Sequence, residues 1–317
     1  METDDHATSD SSSIFVSQEE GGRLPFSKGI LSQSLLATAI DPSEAFEIAH
    51  QIEHELRMQR RAEIDRPDLR KLAHDVILAK AGEKAAQRYL LWRHHQEPDR
   101  PLIVLLGGTS GVGKSSIALE VARRLGIGRA VSTDSIRQMM RLMLSPELVP
   151  AIHGSSYDAW TRLPPIGERM PTVLEGFQAQ AAAVSVGVRA MLERAIEESS
   201  HLVIDGVSIV PGLTGARAFS GQAHVICLMI ASLDESELRA RFVGRASGQS
   251  RRPADRYLEN LDGILEIQRH LIAVAHEQGV PVIDNRRFDD SVRAVLDRVM
   301  EHLEREARVE PIPTGLA

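Results

Sequence analysis

The spacing of hydrophobic positions changes once along this chain, near residue 96. Before that point apolar residues recur at helical intervals. Ala45, Ile48, Ala49, Ile52 and Leu56 share one face behind an Asp41-Pro42-Ser43 start. Two more helices are predicted over about 67–80 and 84–94. Ahead of them, Ile14-Phe15-Val16 and Arg23-Leu24-Pro25 flank Gly21-Gly22, a hairpin signal. From Leu102 onward, short apolar runs at 102–106, 129–132, 202–204, 225–229 and 280–283 alternate with helical patterns. Those helices begin near Lys114, Ser135, Thr172, Leu233 and Pro253, and Thr172 with Glu175 and Ser232 with Glu235 read as capping boxes. Strands alternating with helices predict an α/β fold, a parallel five-stranded sheet covered on both faces.

Between the two patterns, Gln96-Glu97-Pro98-Asp99-Arg100-Pro101 is polar and proline-bearing, as a domain junction should be. The expected organisation is an acidic, serine-rich disordered tail over 1–13, a mainly helical domain over 14–96, an α/β domain over 101–305 and a flexible tail over 306–317. No internal repeat interrupts it.

Composition narrows the class. With aromatics at 4%, the core must be built from aliphatic side chains. A net charge of −7 gives no electrostatic footprint for general nucleic-acid binding. The single cysteine, Cys227, rules out an intrachain disulfide and suits a buried strand position in a reducing compartment. No apolar run approaches the ~20 residues of a membrane helix, and residues 1–13 lack the basic start and apolar stretch of an export signal. The expectation is a cytoplasmic protein without nucleic-acid or membrane partners, with a homo-oligomer left open.

Chemistry enters at Gly108-Thr109-Ser110-Gly111-Val112-Gly113-Lys114-Ser115, a complete P-loop pattern. The apolar strand Leu102-Ile103-Val104-Leu105-Leu106 runs into it, and Ala118, Val121, Ala122 and Leu125 give the following helix its stripe. Glycines let backbone N–H groups turn inward around phosphates, and the helix N-terminus adds positive potential. ATP is therefore expected against residues 108–113, Lys114, Ser115 and Ser116. Lys114 would reach the β- and γ-phosphates, and Ser115 would hold Mg²⁺.

A P-loop does not by itself choose between kinase, switch and motor. The second strand ends in Val131-Ser132-Thr133-Asp134, with Arg137 one turn into the next helix. There Asp134 can orient an acceptor hydroxyl, and Arg137 can grip the acceptor's anion. The competing reading of Asp134 is a helix N-cap. Arg141 is a further anion candidate one turn on. The third strand ends in Asp205-Gly206, the place of a Mg²⁺-holding carboxylate. Arg239, Arg241, Arg245, Arg251 and Arg252 cluster around the Ser247-Gly248-Gln249-Ser250 break, which predicts a lid that closes on phosphates. Arg241 is expected on nucleotide phosphate, and Arg245 at the transferring group. Tyr157 and Trp160 either wall the acceptor pocket or pack.

These motifs together resemble the 2-phosphoglycerate kinase family. The resemblance rests on Gly107 through Ser115, Thr133-Asp134-Ser135-Ile136-Arg137, Ser155-Ser156-Tyr157-Asp158-Ala159-Trp160, Ile204-Asp205-Gly206-Val207 with Val210-Pro211-Gly212, and Pro281-Val282-Ile283-Asp284-Asn285. It covers about residues 100–290 in order. It implies a nucleoside-monophosphate-kinase-like P-loop domain that transfers the ATP γ-phosphoryl group to the 3-hydroxyl of 2-phosphoglycerate, with Lys114 and Ser115 on Mg-ATP and Asp134 and Arg137 at this small anionic acceptor. The family's third-strand motif reads Glu-Gly-Val-His where this chain has Asp205-Gly206-Val207-Ser208. The N-terminal segment is similar to an ATP-cone through Pro25-Phe26-Ser27-Lys28, the Ala45–Leu56 helix and Arg88-Tyr89-Leu90. Ser17-Gln18 stands where ATP-cones carry Lys-Arg, so regulatory and purely structural roles both stay open.

Overall fold

A computed structural model of the chain describes residues 14–17, 22–95, 100–246 and 254–309. The expected tail over 1–13, Gly21, and residues 310–317 lie outside the described residues. The chain forms two compact units, Met1–Gln96 and Glu97–Ala317.

In the first unit, β1 (Phe15–Ser17) pairs antiparallel with β2 (Arg23–Pro25), placing Val16 opposite Leu24. Four helices follow: α1 (Lys28–Leu36), α2 (Pro42–Met58), α3 (Arg66–Ala81) and α4 (Glu83–His94). The Asp41 carboxylate starts α2 by accepting from the Ser43 amide at 3.0 Å, with Pro42 fitting the first turn. Ile48, Ile52 and Leu56, all read from the stripe, are fully buried beside Leu35 and Ile77. Each contributes roughly 1.5–3 kcal/mol of burial. Sequence periodicity passed over β3 (Glu63–Asp65), which completes the sheet in the order β2-β1-β3. Its one apolar residue, Ile64, gives no alternation to detect.

The second unit is the expected α/β domain. Its elements run β4 (Leu102–Gly107), α5 (Lys114–Arg124), β5 (Ala130–Ser132), α6 (Thr133–Met143), α7 (Val173–Glu197), β6 (Leu202–Gly206), β7 (His224–Ala231), α8 (Glu235–Ala246), α9 (Ala254–Glu259), α10 (Leu261–Glu277), β8 (Val282–Asp284) and α11 (Phe288–Val309). The five-stranded sheet has the order β5-β6-β4-β7-β8 with every pair parallel. All residues of β4 and β6 are buried, and up to Leu106 and Ile204 these strands read as unbroken apolar runs. Ile103, Leu105 and Ile204 meet Val184, Val188 and Leu192 of α7 on one face. The alternate residues Val104 and Leu106 point the other way, toward the face where α5 and α11 pack on each other. Because the chain leaves β4 toward β5 on one side and reaches β7 and β8 on the other, a crevice opens at the carboxyl ends of the central strands.

Helix starts show where local pattern and tertiary context part. At Thr172 the capping box forms: its hydroxyl accepts from the Glu175 amide at 3.2 Å, and its own amide donates to the Glu175 carboxylate at 2.7 Å. At Ser232 it does not. Ser232 is fully buried, and Gln268 binds both its amide (3.1 Å) and its carbonyl (2.9 Å). Asp234 starts α8 instead, accepting from the Ser236 amide at 2.9 Å. The single helix expected from Pro253 is two, α9 and α10, and α11 runs to Val309, past the expected tail boundary at 305. No helix among the described residues is long and apolar enough to cross a membrane.

Candidate active site

The loop between β4 and α5 needs glycine for two reasons. Gly108, Gly111 and Gly113 hold φ of +144°, +89° and +87°, which side chains rarely adopt. In addition, a Cβ on Gly111 would run into the Phe242 ring, and one on Gly113 would lie 2.6 Å from Asn285 Nδ2. The loop is braced from behind. Buried Asn285 donates from Nδ2 to the Val112 carbonyl at 2.7 Å and accepts from the Ser291 hydroxyl at 2.9 Å. Arg241 reaches the Val112 carbonyl at 3.4 Å and also donates to the Asn285 carbonyl. The Thr109 hydroxyl donates to the Ile264 carbonyl at 3.3 Å.

Lys114 opens α5 with its Nζ 3.2 Å from the Thr109 carbonyl. Ser115 donates to Asp205 Oδ2 at 2.6 Å, and Ser116 is exposed beside it. Asp205 arrives there because β6 pairs with β4 in the register Leu106 to Asp205. Burial raises its carboxyl pKa, while the Ser115 hydrogen bond and the Lys114 charge pull it down and the Asp134 charge adds to the rise. A hydroxyl and a carboxylate, both oxygen donors, are the ligands a hard cation such as Mg²⁺ takes.

Asp134 is not the N-cap of α6. Ser132 takes that place, accepting from the Ser135 amide at 3.1 Å. Asp134 instead sits in the first turn with its side chain 60% exposed, and Arg137 Nη2 lies 3.3 Å from its carboxylate. Gly206 makes the approach of β6 and α6 feasible, since a Cβ there would strike the Thr133 side chain. Arg137 also donates to the Ile152 carbonyl (3.1 Å) and the Gly154 carbonyl (2.9 Å). Buried Gln180 holds the same turn through the Ala151 and Gly154 carbonyls at 2.7 and 3.1 Å.

Two cavities meet at these residues. An open one of about 800 Å³ includes Lys114, Ser115, Asp134, Arg137 and Asp205. A smaller one of about 270 Å³ includes Ser110 of the loop, Asp134, and three arginines, Arg137, Arg141 and Arg256. Asp134, Arg137 and Gln138 line both. In the smaller cavity Tyr157 packs edge-on to Tyr257 at 5.9 Å, and Tyr257 stacks on Phe242 at 5.0 Å. Burial raises the Tyr157 pKa. Arg256 binds Asp158 at 2.6 Å, and Asp158 in turn accepts from the Ser155 amide at 2.5 Å.

The structure thus brings Lys114, Ser115, Asp134, Arg137 and Asp205 to one crevice with residues 108–113. Arg241 faces the back of the loop, held by two carbonyls. The side chain of Arg245, the whole of Arg251 and Arg252, and the Ser247–Ser250 break lie outside the described residues. Tyr157 both lines the cavity and packs; Trp160 lies against Gly176, where a Cβ would meet its backbone. Cys227 sits on β7, where burial pushes its thiol up to about 12. Sequence reasoning did not single out Gln180 or Arg256; Ser208 lies in the loop after the third strand that could line the acceptor pocket, and Asn285 entered only within a motif of the resemblance. Asn285 carried a signal, an amide after an apolar strand end; Gln180 lies mid-helix and carried none.

Comparison with known proteins follows the same division. Residues 14–98 match the ATP cone domain. A 2-phosphoglycerate kinase of Pyrococcus horikoshii is 40% identical over 278 residues, covering 88% of this chain and 90% of the relative. One from Methanococcus maripaludis is 37% identical over 294 residues, 92% of this chain and 93% of the relative. One from Thermococcus kodakarensis is 38% identical over 291 residues, 92% and 98% respectively.

Proposed function

Because the chain belongs to the 2-phosphoglycerate kinase family and is an ATP-dependent phosphotransferase, we propose that its acceptor is 2-phosphoglycerate and its products 2,3-bisphosphoglycerate and ADP. The observation that carries the reading is the shared wall of the two cavities. A nucleotide held by residues 108–116 would bring its γ-phosphoryl group toward Asp134, and Asp134 also lines the smaller cavity together with Arg137, Arg141 and Arg256. A phosphate and a carboxylate on one small molecule would use such a set. The cavity of about 270 Å³ has room for a three-carbon acid phosphate.

In the proposed reaction, the acceptor 3-hydroxyl oxygen forms a bond to the γ-phosphorus as the bond to the ADP oxygen breaks. Asp134 orients the hydroxyl and takes its proton late. Lys114 offsets charge on the transferring group, and Arg137 links the acceptor to the turn at Ile152 and Gly154. Ser115 and Asp205 would hold Mg²⁺, which when bound neutralises phosphate charge. Positioning supplies most of the catalysis. Use of ATP and a lone cysteine fit a reducing, ATP-containing compartment, and we place the reaction in the cytoplasm.

ATP consumption by the purified chain, offered 2-phosphoglycerate, 3-phosphoglycerate and inositol phosphates separately, tests this, with Lys114→Ala as the blank. Strong turnover with 2-phosphoglycerate alone is expected. Turnover with another acceptor only would refute the substrate, and ATP binding with no acceptor-stimulated turnover would favour a nucleotide-binding switch.

A further inference from the structure

At the foot of the α/β sheet, at the opposite ends of the strands from the phosphate loop, two histidines and a glutamate converge. His224 is the first residue of β7, in register with Leu102 at the start of β4. His302 and Glu306 lie four residues apart on α11, so they project from one face of that helix. His224 Nδ1 is 2.5 Å from Glu306 Oε2, and His302 Nε2 is 3.3 Å from Glu306 Oε1. One ligand atom from each of the three lies within 4.8 Å of the others.

We propose that His224, His302 and Glu306 form a binding site for one borderline divalent cation, Zn²⁺ being the type. The donor set decides the class. Two imidazole nitrogens and one carboxylate oxygen suit Zn²⁺ or Co²⁺, whereas Mg²⁺ and Ca²⁺ take oxygen ligands. The cluster is compact enough that ligand bonds of about 2.0–2.2 Å need only small side-chain rotations. Glu306 already has the outer partner that ligating carboxylates usually have: Arg100 sits 3.2 Å from Oε2 and also donates to the Ser220 carbonyl. His224 is 8% exposed, while His302 at 22% and Glu306 at 29% leave a path from solvent. Three protein ligands leave one position for water. The ion would tie the C-terminal helix to the start of a central strand, so its effect is on stability, not on phosphoryl transfer.

The test uses the full chain, stripped with chelator and kept nucleotide-free in excess Mg²⁺ so that oxygen-ligand sites are filled. Equilibrium dialysis against Zn²⁺ should give one saturable equivalent. The melting temperature of the α/β unit should rise by roughly 5–10 °C at a free Zn²⁺ concentration about a hundredfold above the dissociation constant. His302→Ala and Glu306→Gln should each lose that equivalent and that rise, while ATP turnover stays within about twofold, since both residues lie far from the site of reaction. Co²⁺ in place of Zn²⁺ should give the visible absorption bands of a four- or five-coordinate site in the unsubstituted protein, a readout that depends on no variant folding. Absence of those bands, sub-stoichiometric uptake, or an equivalent that survives both substitutions would overturn the proposal and leave the cluster as an ion-pair clamp. A failed substrate panel would leave the dialysis, melting and Co²⁺ absorption readouts unaffected.

Discussion

Replacing Asn285 by alanine isolates what holds the phosphate loop in shape. The Asn285 side chain makes two buried hydrogen bonds, to the Val112 carbonyl at 2.7 Å and from the Ser291 hydroxyl at 2.9 Å. Ser291 keeps an alternative, since its hydroxyl also lies 3.0 Å from the Arg287 carbonyl. Among the described residues, Val112 keeps the longer Arg241 contact at 3.4 Å. The dominant cost is therefore one poorly satisfied buried carbonyl, about 1–3 kcal/mol. The space left by the amide adds to it, for a total of about 2–4 kcal/mol. Part of that falls on the loop itself, because Val112 lies between the two left-handed glycines, Gly111 and Gly113. Each ~1.4 kcal/mol that ATP must spend re-forming the loop weakens its binding about tenfold. Urea unfolding of the α/β unit gives the first number, and calorimetric titration with ATP gives the second. Asn285→Asp should be at least as damaging despite its matching shape, since a carboxylate oxygen would face the Val112 carbonyl. A loss below about 0.5 kcal/mol with unchanged ATP affinity would refute the bracing argument.

Two further expectations separate the acceptor side from the scaffold. Arg137→Ala should raise the acceptor KM and lower kcat with a much smaller effect on ATP affinity, because Arg137 is anchored to the Ile152–Gly154 turn that borders the smaller cavity. Steady-state kinetics with each substrate varied in turn checks this; an equal loss of ATP affinity would contradict it. The Glu120 carboxyl is held down to about 2 by its hydrogen bonds to Arg123 and then Arg124, against the cost of burial. A lowered folded pKa means that the folded state binds its proton less readily than the unfolded chain. The pairing therefore stabilises the fold at neutral pH and is lost as pH falls from the ordinary carboxylate range toward about 2. Glu120→Gln should flatten the acid limb of the stability profile, read by denaturant unfolding between neutral pH and pH 3; an unchanged limb would refute it.

Much of this protein was determined by sequence alone, and the reason is local. A P-loop is eight consecutive residues whose glycines and helix start are fixed by φ and by close approach, so Gly111, Gly113 and Lys114 announce both structure and chemistry. The stripe of Ile48, Ile52 and Leu56 and the apolar runs of β4 and β6 report burial through a short period. The Thr172 cap is equally local, three residues from its partner. Tertiary structure decided whatever depends on partners far along the chain. Ser232 fails as a cap because Gln268, 36 residues away, binds its backbone. Asp205 meets Ser115 only through the parallel register of β6 with β4, and Asn285 reaches Val112 across 173 residues. His224 likewise meets the His302–Glu306 pair only in the fold, since it comes from a strand about eighty residues before their helix. Local spacing reports backbone geometry and burial, but which polar groups are brought face to face depends on strand order, which short-range pattern does not encode.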